Sequence, residues 1–299
     1  MNTVSRYKYK KEDILWGYLM IAPTFLGVLV FAIWPILQSL YLSFTTWGAF
    51  GQYRWSGLDN YKRMWNDPNV WQAFKNTLIF TGISVPLSIA IAIVIAVLLN
   101  QKLRGVGFYR LLYYLPVITM PAASAMVWKW LYNGDYGLIN YVLSWFQIEG
   151  VRWLTNPQVA IFSLIVVAVW GSIGMNMVIL LSGLQGISSS YYEAASIDGA
   201  GVVSRFLRIT LPLLTPTIFF LVIITIISKL QLFELVYMMI GPTGITIDQT
   251  QTVVYLFFEA GFVQGEKGYA AAIILILFVL IMLFTALQFW LQKKWVHYE

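Results

Sequence analysis

The chain contains no cysteine and a single histidine, and only 11% of its 299 residues are charged. The first absence excludes disulfide frameworks, thiolate metal sites and thiol catalysis. His297 lies in the C-terminal tail with no carboxylate cluster beside it, so it makes neither a triad nor a metal site and reads as a surface residue. No G-x-x-x-x-G-K-[ST] phosphate loop occurs anywhere, and the Gly-rich GPTGIT at Gly241 lacks the lysine. Internal repeats, low-complexity segments and separate soluble domains are also missing, which leaves one domain over 1–299.

What is present is apolar. Hydrophobic residues make up 59% of the chain and come in blocks, each long enough to cross a hydrocarbon core about 30 Å thick, which takes roughly 20 helical residues. In lipid every backbone amide must be satisfied within a helix or a closed barrel. Blocks of Leu, Ile and Val without strict alternation mean helices, so the chain reads as an all-α polytopic membrane protein with six spans, at 14–37, 76–99, 109–132, 159–184, 213–240 and 269–291. The first is too long for a cleaved signal and lacks a small-x-small site, so it reads as an uncleaved span. Pro23 and Pro35 are expected to kink or end it, and Pro116 and Pro121 to break the third.

Six spans put both termini on one side, and charge says which. The net charge of +6 would suggest an acidic partner or nucleic acid in a soluble chain, but the basic residues here flank the apolar blocks. One set of segments holds Arg6, Lys8, Lys10, Lys11, Lys102, Arg104, Arg110, Arg205, Arg208, Lys293 and Lys294, and the other holds Arg54, Lys62, Arg63, Lys75, Lys129, Arg152 and Lys267. The positive-inside rule places the first set, both termini and the 189–210 segment in the cytoplasm. The aromatic stretch 45–75, with Trp47, Tyr53, Trp55, Tyr61, Trp65 and Trp71, then lies outside, as an interfacial belt or a partner contact.

Between the fourth and fifth blocks lies the polar stretch 191–212, YYEAASIDGAGVVSRFLRITLP. Ser188, Ser189 and Ser190 can cap a helix start, Glu193 is expected in the first turn near the positive end of the helix dipole, and Gly199 is where a short helix stops. A second short helix should follow through Val202, Phe206 and Ile209, one face at helical spacing, until Pro212 opens the next span. Tyr192, Glu193, Ala194, Ala195, Asp198, Gly199, Ile209, Leu211 and Pro212 thus belong to a helix-Gly-helix knob suited to docking.

At these residues the chain resembles the permease subunits of ABC importers, whose Glu-Ala-Ala, Gly and Ile-x-Leu-Pro pattern is filled at every position by Glu193, Ala194, Ala195, Gly199, Ile209, Leu211 and Pro212. The flanking IDGAG, with GLDNYKRMW at 57–65, YLPVITMP at 114–121 and WKWLYN at 128–133, is similar to the branch that imports oligosaccharides, polyols and glycerol phosphate esters. The resemblance implies the type I importer fold in the bacterial cytoplasmic membrane. It also implies a second homologous permease, two ATP-binding subunits docked on the knobs, an extracytoplasmic solute-binding protein and a sugar substrate. On that reading this chain is not an enzyme and carries no cofactor, ATP and magnesium belonging to the partner ATPase, and transport runs by alternating access. An ABC permease for amino acids or peptides shares the Glu-Ala-Ala element; a secondary transporter using Lys229 and Glu234, and a membrane-embedded enzyme, leave it unexplained.

Polar groups at membrane depth are costly and are functional candidates. In IISKLQLFELVY, Gln231 and Glu234 lie three apart and are expected to share a helix face, while Lys229 points elsewhere. They would hydrogen-bond sugar hydroxyls with Phe233 or Tyr237 stacking on the ring, or else hold helices or a partner subunit together. Asn176, in WGSIGMNM, is a further candidate, although Gly171 and Gly174 beside it favour helix packing.

Overall fold

The computed structural model describes residues 11–47, 52–101 and 104–296, so Arg6, Lys8, Lys10, Lys102 and His297, used above, lie outside the described residues. Helix α1 (Lys11–Val28) passes through a π-turn at Leu29–Ile33 into α2 (Trp34–Ser43). Pro23 sits inside α1 without ending it, and Pro35 stands in the first turn of α2, directly after the π-turn. The helical path therefore runs beyond the expected end at 37, and 0% of its apolar window is buried in this chain.

The aromatic stretch folds. Strands β1 (Thr45–Trp47) and β2 (Tyr53–Trp55) pair antiparallel, with Thr45 opposite Trp55, and α3 (Asp59–Asn66) follows. Buried Asn60 fastens α3 to the hairpin, donating from Nδ2 to the carbonyls of Ser43 and Thr45 at 2.8 Å each. Trp65 and Trp71 stay exposed and meet edge to face at 4.9 Å. Helix α4 (Pro68–Leu99) starts well before the expected position 76, because Asp67 caps it through the Asn69 amide and Pro68 stands at its first turn.

Helices α5 (Val106–Ile118) and α6 (Pro121–Leu131) replace the expected third span and are bent by 97°. Pro121 explains the break: Thr119 and Met120 are extended before it, at ψ 142° and 126°. Arg110, counted from sequence among the basic residues that flank the apolar blocks, belongs to α5 and donates to the Leu99 carbonyl at 3.1 Å, covering the end of α4. Helix α7 (Leu138–Trp145) occupies the next connection and is anchored by Asn140. Its amide donates to the carbonyls of Gly134 and Val151 and accepts from the Val151 amide and the Trp153 indole.

Helix α8 (Ala160–Gly186) packs along α4, and the two form the central pair. Then come α9 (Ser189–Ile197), α10 (Val202–Arg205), a π-turn at Phe206–Thr210, α11 (Leu211–Leu213) and α12 (Thr215–Leu230), with a 64° bend between the 202–213 run and α12. The expected fifth span to 240 is not one helix. It stops at Leu230 and resumes as a short turn of π-helix at Val236–Ile240.

The segment after Gly241, expected as an outer loop, contains α13 (Ile247–Thr250) and α14 (Val253–Phe258), the latter continuing as a π-turn to Val263. Tyr255 and Val253 there are fully buried, so this apolar piece is core. Asn76 of α4 holds it in place, donating to the carbonyls of Asp248 and Gln251 at 3.0 Å each. Helix α15 (Lys267–Trp295) closes the chain. Among the described residues four helices, counting the α1–α2 run as one, are long and apolar enough to cross a membrane, and up to six if each bent pair counts as one.

Candidate functional site

The knob is built around Gly199. Its φ of +73° is a left-handed conformation that costs a residue with a Cβ about 1 kcal/mol. This conformation lets the Ala200 amide reach back to the Ala195 carbonyl at 2.9 Å and the Gly199 amide to the Ser196 carbonyl at 3.2 Å, closing α9 with both bonds of a Schellman turn. At the other end Ser188 caps α9 through the Ser190 amide. Because the helix starts at Ser189, Glu193 falls in its second turn and not in the first, as the sequence reading had it; it is exposed, as are Ala194 and Asp198.

Arg205 braces the two short helices, donating to Ser196 Oγ at 2.9 Å. Tyr192, half-buried, lines a cavity of about 320 Å³ beneath the knob with Asn100 and Gln101 from the end of α4 and Arg205, Phe206 and Thr210 from the return segment. Ala195, Ile209, Leu211 and Pro212 are half-buried and root the knob on the helices. The tip is the reverse: Ile197 is 87% exposed and Val202 76%, with Val203 beside them. The face expected through Val202, Phe206 and Ile209 is therefore split, with Val202 outward and the other two turned in.

The chain leaves α12 at Gln231, so Gln231 and Glu234 are not neighbours on one helix face. They nevertheless line one cavity, of about 500 Å³, with Phe233 between them and Phe257 and Phe258 of α14 opposite. Tyr237 backs this wall, stacked on Phe233 at 5.2 Å and edge-on to Phe258 at 5.4 Å. Two polar groups on an aromatic wall can hydrogen-bond hydroxyls while a ring lies flat, the chemistry of a polyhydroxylated ligand. Among the described residues no group of three or more His, Cys, Asp or Glu could hold a metal ion.

A family model for the inner membrane component of binding-protein-dependent transport systems matches residues 89–297. The chain belongs to this family. It is 39% identical to the probable ABC transporter permease protein YesP of Bacillus subtilis over 292 residues, 97% of this chain and 94% of that one. It is 36% identical to the lactose transport system permease protein LacF of Rhizobium radiobacter over 298 residues, covering 98% and 99% of the two. Among solved structures, a chain of a bacterial ABC transporter that imports the acidic polysaccharide alginate superposes with a TM-score of 0.84 at 24% identity, over 95% of this chain and 96% of that one, which shows a shared fold.

In this permease the remaining candidate, Asn176, stands apart on α8 with 4% exposure. Its Nδ2 is buried without a hydrogen-bond partner, and it does not line the aromatic cavity. Gly174 explains the close packing there, since a Cβ would strike the Tyr113 carbonyl and Val117 of α5; Gly171, paired with it in the sequence reading, has nothing within 4 Å. Phe257 and Phe258 were missed because they lay in a supposed loop, although VVYLFF is an unbroken apolar run that signals buried structure. Lys229 reaches away from Gln231, to α8, as the sequence spacing implied.

Proposed function

We propose that the chain forms half of the pathway of a carbohydrate importer and takes its drive from a separate ATPase that grips the 189–210 knob. The observation that carries this reading is the exposed tip of Ile197, Val202 and Val203 on an otherwise hydrogen-bonded scaffold that turns at Gly199. Apolar side chains held outward on a braced polar segment are a docking surface for protein. In the proposed cycle ATP closes the ATPase pair, the knob follows as a rigid piece, and the bend into α12 passes the motion to the segment that bears Gln231 and Glu234. Both termini lie on the knob's side, in the cytoplasm, and a solute-binding protein delivers substrate at the opposite face, where the β-hairpin and α3 are placed. A second, homologous permease supplies the other half of the pathway.

The aromatic cavity supports a sugar as the solute: Phe233 and Phe258 offer ring faces, and Gln231 and Glu234 offer hydrogen-bonding groups. A tagged chain purified from its native membranes in mild detergent is expected to bring with it a P-loop ATPase and a second permease with a Glu-Ala-Ala loop. Recovery of the chain alone, with transport after reconstitution in the absence of ATP, overturns the reading.

A further inference from the structure

A separate cavity of about 250 Å³ opens where the α5–α6 bend meets α8 and the end of α12. Lys229, Ser172, Thr119 and Ser124 give it its polar groups, and Trp170 and Leu232 stand in its wall. Lys229 is only 8% exposed, and its ammonium crosses to α8 to donate to the Ala168 carbonyl at 3.1 Å and to Ser172 Oγ at 2.5 Å. Among the described residues the ion pairs are Lys62 with Asp59 and Arg63 with Glu266, so this cation has no acid beside it.

The hydrogen bonds of the cavity assign its protons. Ser172 donates to the Ala168 carbonyl at 2.7 Å, and Thr119 donates to the Pro116 carbonyl at 2.8 Å. The 2.9 Å bond between Thr119 and Ser124 is then donated by Ser124. Every hydroxyl proton is committed, whereas an ammonium carries three donors and Lys229 uses two. The spare charged donor of the cavity is therefore Lys229, the Trp170 indole N–H and the backbone amides of the bend being neutral.

Bridging α12 to α8 does not account for that charge. Both acceptors are neutral, and a side-chain amide would serve them without burying a cation, which is costly in a low-dielectric bundle unless an anion compensates it. We propose that this cavity binds an anionic oxygen of the transported solute, a carboxylate or a phosphate ester, on the third N–H of Lys229, with the apolar face of the sugar against Trp170. The proposal rests on the importer reading and specifies its substrate as acidic. It divides the work between two cavities. Glu234 makes the 500 Å³ cavity unsuited to an anion and suited to hydroxyls, and Lys229 makes this one the reverse.

The test uses the complex purified with its partners and reconstituted in vesicles, with ATP-driven uptake measured for a uronic-acid oligosaccharide, its carboxyl-reduced counterpart and glycerol phosphate. The wild type is expected to take up one of the acid probes about tenfold more efficiently than the carboxyl-reduced sugar, and the acid that responds identifies carboxylate or phosphate as the source. Lys229→Gln is expected to lose that preference, with Lys229→Met as a second neutral variant and Lys229→Arg retaining it; co-purification of the ATPase monitors assembly of each. These substitutions leave the binding protein untouched, so a change reports on the membrane site. Uptake of the carboxyl-reduced sugar as efficient as that of the acids, or an acid preference that survives in an assembled neutral variant, overturns the proposal. A complex that couples ATP to none of the probes, acid or neutral, while other solutes are driven, also overturns it, and one that couples ATP to no solute at all overturns the importer reading beneath it.

Discussion

The hydroxyls of Tyr192 and Thr210 meet at 3.1 Å, tying α9 to the π-turn that returns the chain to the bundle. The knob is thus held at its base by this bond and across its middle by Arg205 and Ser196. Tyr192→Phe removes one hydrogen bond, worth about 1 kcal/mol, and leaves the ring in place. The expected outcome is normal insertion with transport reduced severalfold, read as uptake per unit of chain in the membrane, and uptake equal to wild type would show that the bond does not transmit motion.

Gly199→Pro forces φ to about −65° where the chain requires a positive value and removes the amide that bonds Ser196. Gly199→Ala keeps that amide and costs about 1 kcal/mol. The proline variant is expected to insert but not to bind the ATPase, the alanine variant to bind it more weakly, and Glu193→Lys, which reverses an exposed charge on the knob, to uncouple uptake without altering the fold. Co-purification of the ATPase ranks them, and full recovery with the proline variant would contradict the docking assignment.

Glu234→Gln keeps the shape of the aromatic cavity and removes its charge. A carboxylate that accepts from sugar hydroxyls makes a bond roughly twice as strong as a neutral acceptor does. The expected result is a rise in the apparent KM of uptake with the maximal rate retained, and kinetics identical to wild type would make the residue structural.

Asn140→Ala deletes an amide that serves four partners around α7. Loss of one buried group that satisfies several others costs about 1–3 kcal/mol per unsatisfied site. A fall in the detergent melting temperature of the chain is expected, while ATPase recovery stays at the wild-type level because α7 is remote in sequence and structure from the knob.

How far the sequence could be read follows from what each signal measures. Apolar blocks report how much chain is dry, so α4, α8 and α15 were visible, and the spacing from Glu193 to Pro212 marked the knob. Breaks within a dry segment were visible only where proline caused them, as at Pro121. The end of α12 at Leu230 has no such marker, since Gln231 to Phe233 keep a helical composition yet lie outside the helix, which resumes at Glu234. That is why helical spacing does not account for Gln231, Phe233 and Glu234 lining one cavity. The position of Glu193 failed more simply: three consecutive serines offer several caps, and the structure uses Ser188.

The 97° bend between α5 and α6 has a consequence for solvation. A helix that stops and restarts at a right angle adds two termini, with about four carbonyls at the end of α5 and about three amides at the start of α6 lacking intrahelical partners. Thr119 donates to the Pro116 carbonyl and Ser124 to Thr119, so these two hydroxyls cover only one of those backbone groups. Water admitted to the bend would satisfy the others, whereas the Lys229 ammonium, only 8% exposed, keeps to its protein acceptors on α8. Because the chain has no cysteine of its own, a single cysteine placed along α6 would map the extent of that water by its reaction with small polar thiol reagents.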